Sequence, residues 1–234
     1  MTQTRTIALD HDRTVTAVHY AAAVPAWATL ILAHGAGANQ DSAFMKGFAA
    51  ALAGRGLEVL TFNFPYSERG RKIPDPQPVL EACFRAVLEH TANDPSLGPL
   101  PLFIGGKSMG GRMASHVAAS RDAGDPAAPA WWPRLRGLVF LGYPLHPPGR
   151  PQQVRVAHLP RIVHPMLFVQ GEKDAFGTPL ELQAFIDVLP APCTLHPVAQ
   201  AGHSLEVTKR SGIPQDRVFA DVQDVIAAWA RERA

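Results

Sequence analysis

The sequence predicts an α/β fold, with a mainly parallel sheet covered by helices on both faces and led by an antiparallel hairpin. Three observations carry this. The N-terminal part alternates apolar and polar side chains in two runs separated by "HDR". From residue 29 onward, short apolar runs such as "TLILA" recur without alternation, as strands buried on both faces require. Between those runs the apolar residues take helical spacing. At 234 residues and 47% hydrophobic composition, the chain is long enough to bury a large core and is expected to form one domain, 1–234.

Element by element, residues 4–10 and 14–20 read as the hairpin. Residues 29–33 form the next strand. Residues 42–55 are helical by spacing, with Ser42 as a cap and Gly54 and Gly56 near the end. A strand follows over 57–64, "LEVLTFNF". The helix over 78–90 carries Val79, Leu80, Cys83, Val87 and Leu88 on one side. Residues 100–105 are a strand and 109–120 the helix after it. Strands over 135–142 and 165–171 lead to a helix over 179–189, with proline in its first turn. A strand over 193–198 and an amphipathic helix over 217–231 close the chain. Residues 66–76 and 122–133 read as irregular. Residues 143–164 hold no long helical insertion, so any lid over a site is small.

Composition removes several function classes. Lys+Arg 22 against Asp+Glu 20 gives +2, too balanced for a nucleic-acid surface. Cys83 and Cys193 cannot build a disulfide framework and read as buried reduced thiols. The N-terminus "MTQTRTIALDHDRT" has no apolar signal core, and no window approaches the ~18 apolar residues that span a bilayer. A cytoplasmic protein without a membrane partner is expected; its oligomeric state is unspecified.

The stretch "FIGGKSMGGR", residues 103–112, admits two chemistries. As the end of a phosphate-binding loop, Gly106-Lys107-Ser108 would need a glycine at 101, which is Pro101. A dinucleotide fingerprint at Gly35-Ala-Gly37 fails likewise, because Gln40 stands where its third glycine belongs. As Gly106-x-Ser108-x-Gly110 between a strand and a helix, the same stretch is the sharp turn that presents a nucleophilic serine, with small neighbours to relieve crowding.

A serine hydroxyl needs a base, and the base an orienting carboxylate. Strand "PMLFVQG" is followed by Asp174, and strand "CTLHPV" by His203, each in the loop beyond the strand. Glu172 competes with Asp174 for the acid role. His196 lies within a strand, and His34, His146, His158 and His164 read as packed or solvated. No pair has metal-site spacing, so neither metal nor organic cofactor is expected. Backbone N–H groups of Met109, after the serine, and of Ala36, in the glycine-rich "AHGAGANQ", are candidates to bind an oxyanion. Lys107 reads as a surface or loop-pinning residue. Arg69, Arg71 and Lys72, in the loop "SERGRK", are candidates for attracting an acidic substrate, against a solvated loop.

The segments "LAHGAGA", "FNFPY", "GGKSMGGRMAS", "LFVQGEKDAFG" and "AGHS" resemble the α/β-hydrolase superfamily over nearly the whole chain, and more narrowly small bacterial hydrolases of dienelactone-hydrolase character. The order Ser108, Asp174, His203 is the superfamily's order. The resemblance implies an α/β-hydrolase fold with a minimal lid. It also implies a serine hydrolase acting on a small-molecule carboxylic ester or thioester. Dienelactone hydrolases proper use a cysteine where this chain has Ser108. Related domains also serve non-enzymatic roles, so a binding module is the rival expectation.

Overall fold

The computed structural model describes residues 1–10, 12–97, 99–120 and 128–234. Eight strands form one sheet: β1 (Thr2–Ala8), β2 (Thr14–Tyr20), β3 (Ala28–Ala33), β4 (Leu57–Phe62), β5 (Leu102–Lys107), β6 (Leu135–Leu141), β7 (Met166–Gly171) and β8 (Cys193–Val198). Their order is β1-β2-β4-β3-β5-β6-β7-β8. The leading hairpin is antiparallel, as the alternation predicts, and β2 pairs antiparallel with β4. From β4 to β8 every pairing is parallel.

Among the described residues six α-helices join them: α1 (Ala43–Ala53), α2 (Pro65–Glu68), α3 (Gln77–Asn93), α4 (Met109–Ala119), α5 (Pro179–Ile186) and α6 (Gln215–Arg231). The apolar runs are apolar because each strand feeds two cores. On β3, Ile31 and Ala33 join the layer formed with α3, α4 and α5, while Leu30 and Leu32 face α1 and α6. Period-two side-chain alternation makes this division automatic. Ser42 caps α1 by accepting from the Met45 N–H, and Thr178 caps α5 in a reciprocal box with Glu181.

Part of 66–76, expected to be irregular, belongs to a single helical turn. Pro65 at its first position presets the backbone, and the turn closes by Arg69 N–H to Pro65 O at 3.3 Å. Of the other irregular stretch, 122–127 lies outside the described residues, and Trp132–Arg134 is a 3₁₀ turn. Cys83 is buried and Cys193 only half-buried; both are free thiols. Among the described residues no helix is long and apolar enough to cross a membrane.

The connectivity selects the place for a site. From β3 the chain passes through α1 to β4 on one side; from β5 it passes through α4 to β6 on the other. The two loops diverge at the carboxyl ends of these neighbouring strands, and such a divergence opens a crevice.

Candidate active site

Ser108 stands at that crevice, between β5 and α4. Its backbone is held at φ 50°, ψ −115°, a left-handed conformation that costs a non-glycine residue about 1–3 kcal/mol. The turn is pinned by Ser108 N–H to Leu141 O at 3.0 Å. Gly106 and Gly110 are required by a close backbone approach: a Cβ on either would lie 2.3 Å from the Ala33 carbonyl oxygen at the end of β3. The motif's glycines therefore bring the Ser108 turn against the glycine-rich loop after β3.

His203, in the loop after β8, places Nε2 2.8 Å from Ser108 Oγ. Its Nδ1 lies 2.8 and 3.0 Å from the two carboxylate oxygens of Asp174, in the loop after β7. Asp174 is buried, and its oxygens also accept from Gln170 Nε2 and the Phe176 N–H, each at 2.8 Å. With both oxygens held, the carboxylate cannot rotate away from the imidazole. Phe176 serves twice, because its ring lies over the His203 ring at 4.1 Å between centroids. Glu172 is exposed and accepts from the Gln200 N–H at 3.0 Å, and it makes no described bond to His203.

The loop after β3 is held by a buried histidine. The Phe64 N–H donates to His34 Nε2 at 3.1 Å, so the ring proton sits on Nδ1 and is donated to Gly35 O at 2.8 Å. Burial pushes this imidazole down to about 4. The Tyr66 hydroxyl donates to the same Gly35 oxygen at 3.3 Å, and its burial pushes the phenol up to about 12. Ala36 follows directly and its N–H donates to no described residue. Met109 occupies the first position of α4, where no helical carbonyl is available to its N–H. Ala36, Met109, Ser108 and His203 all line one pocket of about 650 Å³.

The basic loop is not part of this pocket. Arg69, Arg71 and Lys72 are exposed, none lines it, and Arg69 is engaged with Asp75 at 2.7 Å. The cationic wall comes instead from Lys107, Arg112 and Arg155. Lys107 is not a surface residue: it is half-buried, desolvation lowers its ammonium, and its Nζ lies 5.8 Å from the centre of the Phe44 ring. Arg112 had a readable signal, standing four residues after Ser108 and therefore one helical turn below it. Gln170 lies in the segment "LFVQGEKDAFG" but nothing in its pattern marked it as a partner of Asp174, and Arg155, in a long loop, had no signal.

The model for the α/β hydrolase domain matches residues 26–231, most of the chain. The chain belongs to the α/β-hydrolase family. Among solved structures, this α/β-hydrolase domain is similar to a dienelactone hydrolase from Anabaena variabilis (17% identity, TM-score 0.75, covering 100% of this chain and 98% of the other). It is also similar to an α/β serine hydrolase homologue from Coxiella burnetii (16%, TM-score 0.73, 97% and 96%). A third is an α/β serine hydrolase without a lid from Xanthomonas campestris (17%, TM-score 0.70, 99% and 94%). At these identities the structural likeness speaks to the fold. In this α/β-hydrolase domain the segment between β6 and β7 has the 3₁₀ turn Leu159–Arg161 as its one helical element.

Proposed function

We propose that the protein is a serine hydrolase that cleaves a carboxylic ester or thioester through an acyl-enzyme on Ser108. The observation that carries this is the unbroken chain Ser108 Oγ–His203 Nε2–Nδ1–Asp174, with both links at 2.8 Å. The Asp174 carboxylate accepts the Nδ1 proton, which leaves Nε2 free as acceptor for the serine proton. Ser108 Oγ attacks the carbonyl carbon as His203 takes that proton. Developing negative charge on the carbonyl oxygen is met by the N–H groups of Ala36 and Met109, the latter reinforced by the N-terminus of α4. The imidazolium then protonates the departing alcohol or thiol. Water, deprotonated by His203, attacks the acyl-enzyme, and Ser108 regains its proton as the acid leaves.

No step calls on a cofactor. The named relatives, a dienelactone hydrolase and two serine hydrolases, agree with this reaction class. Fluorophosphonate labelling tests the reading directly. One equivalent should attach at Ser108, and Ser108→Ala should abolish it. A chain that takes up no label while folded is a binding module, and the proposal is then wrong.

A further inference from the structure

The pocket contains two guanidinium groups, those of Arg112 and Arg155, that pair with no carboxylate among the described residues. Arg112 begins the first full turn of α4, its N–H donating to Ser108 O at 3.0 Å. Its side chain is half-buried, and its only described bond is a neutral one, Nη2 to Gln77 Oε1 at 2.9 Å. Gln77 in turn donates to Glu81 Oε1 at 2.8 Å, so the nearest acid touches the arginine only through an amide. Arg112 Nε is buried and unpartnered among the described residues. Burial accordingly disfavours the charged guanidinium.

Arg155 enters the same pocket from the segment between β6 and β7. That segment is fixed around it: the Arg155 N–H donates to Leu145 O, and the buried Tyr143 hydroxyl donates to Arg155 O, each at 2.8 Å. No described carboxylate lies within 4 Å of either side chain, whereas Arg69, outside the pocket, is paired with Asp75. Holding two cations together in a pocket whose remaining wall includes Leu80, Met113 and Phe176 is costly unless a ligand brings the opposite charge.

We propose that Arg112 and Arg155 form a carboxylate-binding subsite, so that the ester or thioester cleaved at Ser108 carries a free carboxylate remote from the scissile carbonyl. This rests on the hydrolase reading above and specifies its substrate. The guanidinium fork matches a carboxylate in two parallel hydrogen bonds, which a lone ammonium does not. Asp75 limits the charge of the ligand. It lines the same pocket and keeps one oxygen buried without a described partner, so a multiply charged phosphate meets repulsion that a monoanion meets less. The apolar part of the lining, with Leu80, Met113 and Phe176, suits a short methylene chain.

The test uses two matched pairs of esters. In the first, 4-nitrophenyl hydrogen adipate is compared with its methyl ester, which places the charge on the acyl side. In the second, 4-carboxyphenyl butyrate is compared with its methyl ester, which places it on the leaving group. In one pair the parent enzyme should favour the anion in kcat/KM by about tenfold or more, the effect of one charge-assisted contact. Arg155→Met and Arg112→Met should each cut that anionic-to-neutral ratio about tenfold. Arg112→Lys, which keeps the charge but not the fork, should also lower it, and serves if the methionine variant does not fold.

No preference in either pair, or a ratio unmoved by the substitutions, overturns the subsite while leaving the hydrolase reading intact. Calorimetric binding of monomethyl adipate and of butyrate to Ser108→Ala, with and without Arg155→Met, separates the reverse case. Weakening of this binding by the arginine change, in a protein that turns over none of the esters, supports the subsite and rejects the hydrolase reading. Binding indifferent to Arg155 overturns the subsite.

Discussion

Helix α4 carries two serine–histidine contacts of nearly equal length. Ser108 Oγ lies 2.8 Å from His203 Nε2, and Ser115 Oγ lies 2.7 Å from His158 Nε2. Everything around the contacts differs. Ser108 sits in a strained turn at a pocket, and its histidine leans on a buried carboxylate. Ser115 is fully buried within the helix and also donates to Arg112 O at 2.7 Å. Its partner His158 stacks on His116 at 3.6 Å, with Arg112 and Arg161 nearby and no carboxylate in contact among the described residues. Desolvation first, then His116, Arg112 and Arg161, push His158 down to about 3, and burial with Arg112 pushes His116 down to about 4. A base must accept a proton, and this cluster is built to refuse one. Distance between hydroxyl and imidazole is thus a poor guide to nucleophile activation; the charge facing the second ring nitrogen decides it.

Removing each hydroxyl gives the largest contrast. Ser108→Ala should lower kcat/KM for an activated ester by at least about 10³-fold, whereas Ser115→Ala should leave it within a few-fold and cost about 1 kcal/mol of stability by stranding His158. Equal loss of turnover in the two purified variants would mean the helix carries a different nucleophile. The carboxylate sharpens the same contrast. Asp174→Asn, which favours the wrong tautomer of His203, should cost about 10³–10⁴-fold in kcat. Glu81→Gln should cost little, since Glu81 only approaches His116, at 4.0 Å. Greater damage from Glu172→Gln than from Asp174→Asn would move the acid role to the rim.

Stability against pH separates the clusters in another way. His158 and His116, like His34, stay neutral in the folded protein below the pKa of about 6.5 they have when unfolded. Between those values the unfolded chain binds more protons. Stability is therefore full above pH ~6.5 and falls toward pH ~4, by up to ~1.4 kcal/mol per pH unit for each such histidine. Urea midpoints should drop between pH 7 and pH 5, and the drop should shrink in a His116→Gln, His158→Gln double variant. Midpoints that match at the two pH values would show that the cluster protonates without cost.

The smallest effect concerns backbone strain. Ser108→Gly should melt higher than Ser108→Ala, by about 1 kcal/mol in stability, because glycine adopts a φ of 50° without a Cβ penalty. At Ser115, inside the helix, glycine should instead be the less stable replacement by about 1 kcal/mol. A glycine penalty at both positions would remove strain from the account of the nucleophile turn.

By itself the sequence determined the succession of strands and helices. Apolar runs bounded by glycine and proline are local signals, and so is a hairpin read from alternation. It also determined which loops hold Ser108, Asp174 and His203, since each of these residues lies in the loop after a strand of a parallel sheet and so reaches one edge. Arg112 was within reach of the same logic, one turn beyond Ser108. The lateral order of the strands was not local information. β4 lies beyond β3 from β5, so the loop carrying Arg69, Arg71 and Lys72 starts two strands away from Ser108, and its side chains remain at the surface. Only the tertiary structure brought Arg155 to the site, from a loop with no periodic or motif signature, and only it gave Gln170 and Phe176, inside the recognisable segment "LFVQGEKDAFG", their contacts with Asp174 and His203. Their roles come from contacts across the chain, where a buried amide or an unneutralised guanidinium acquires meaning from the charges that surround it.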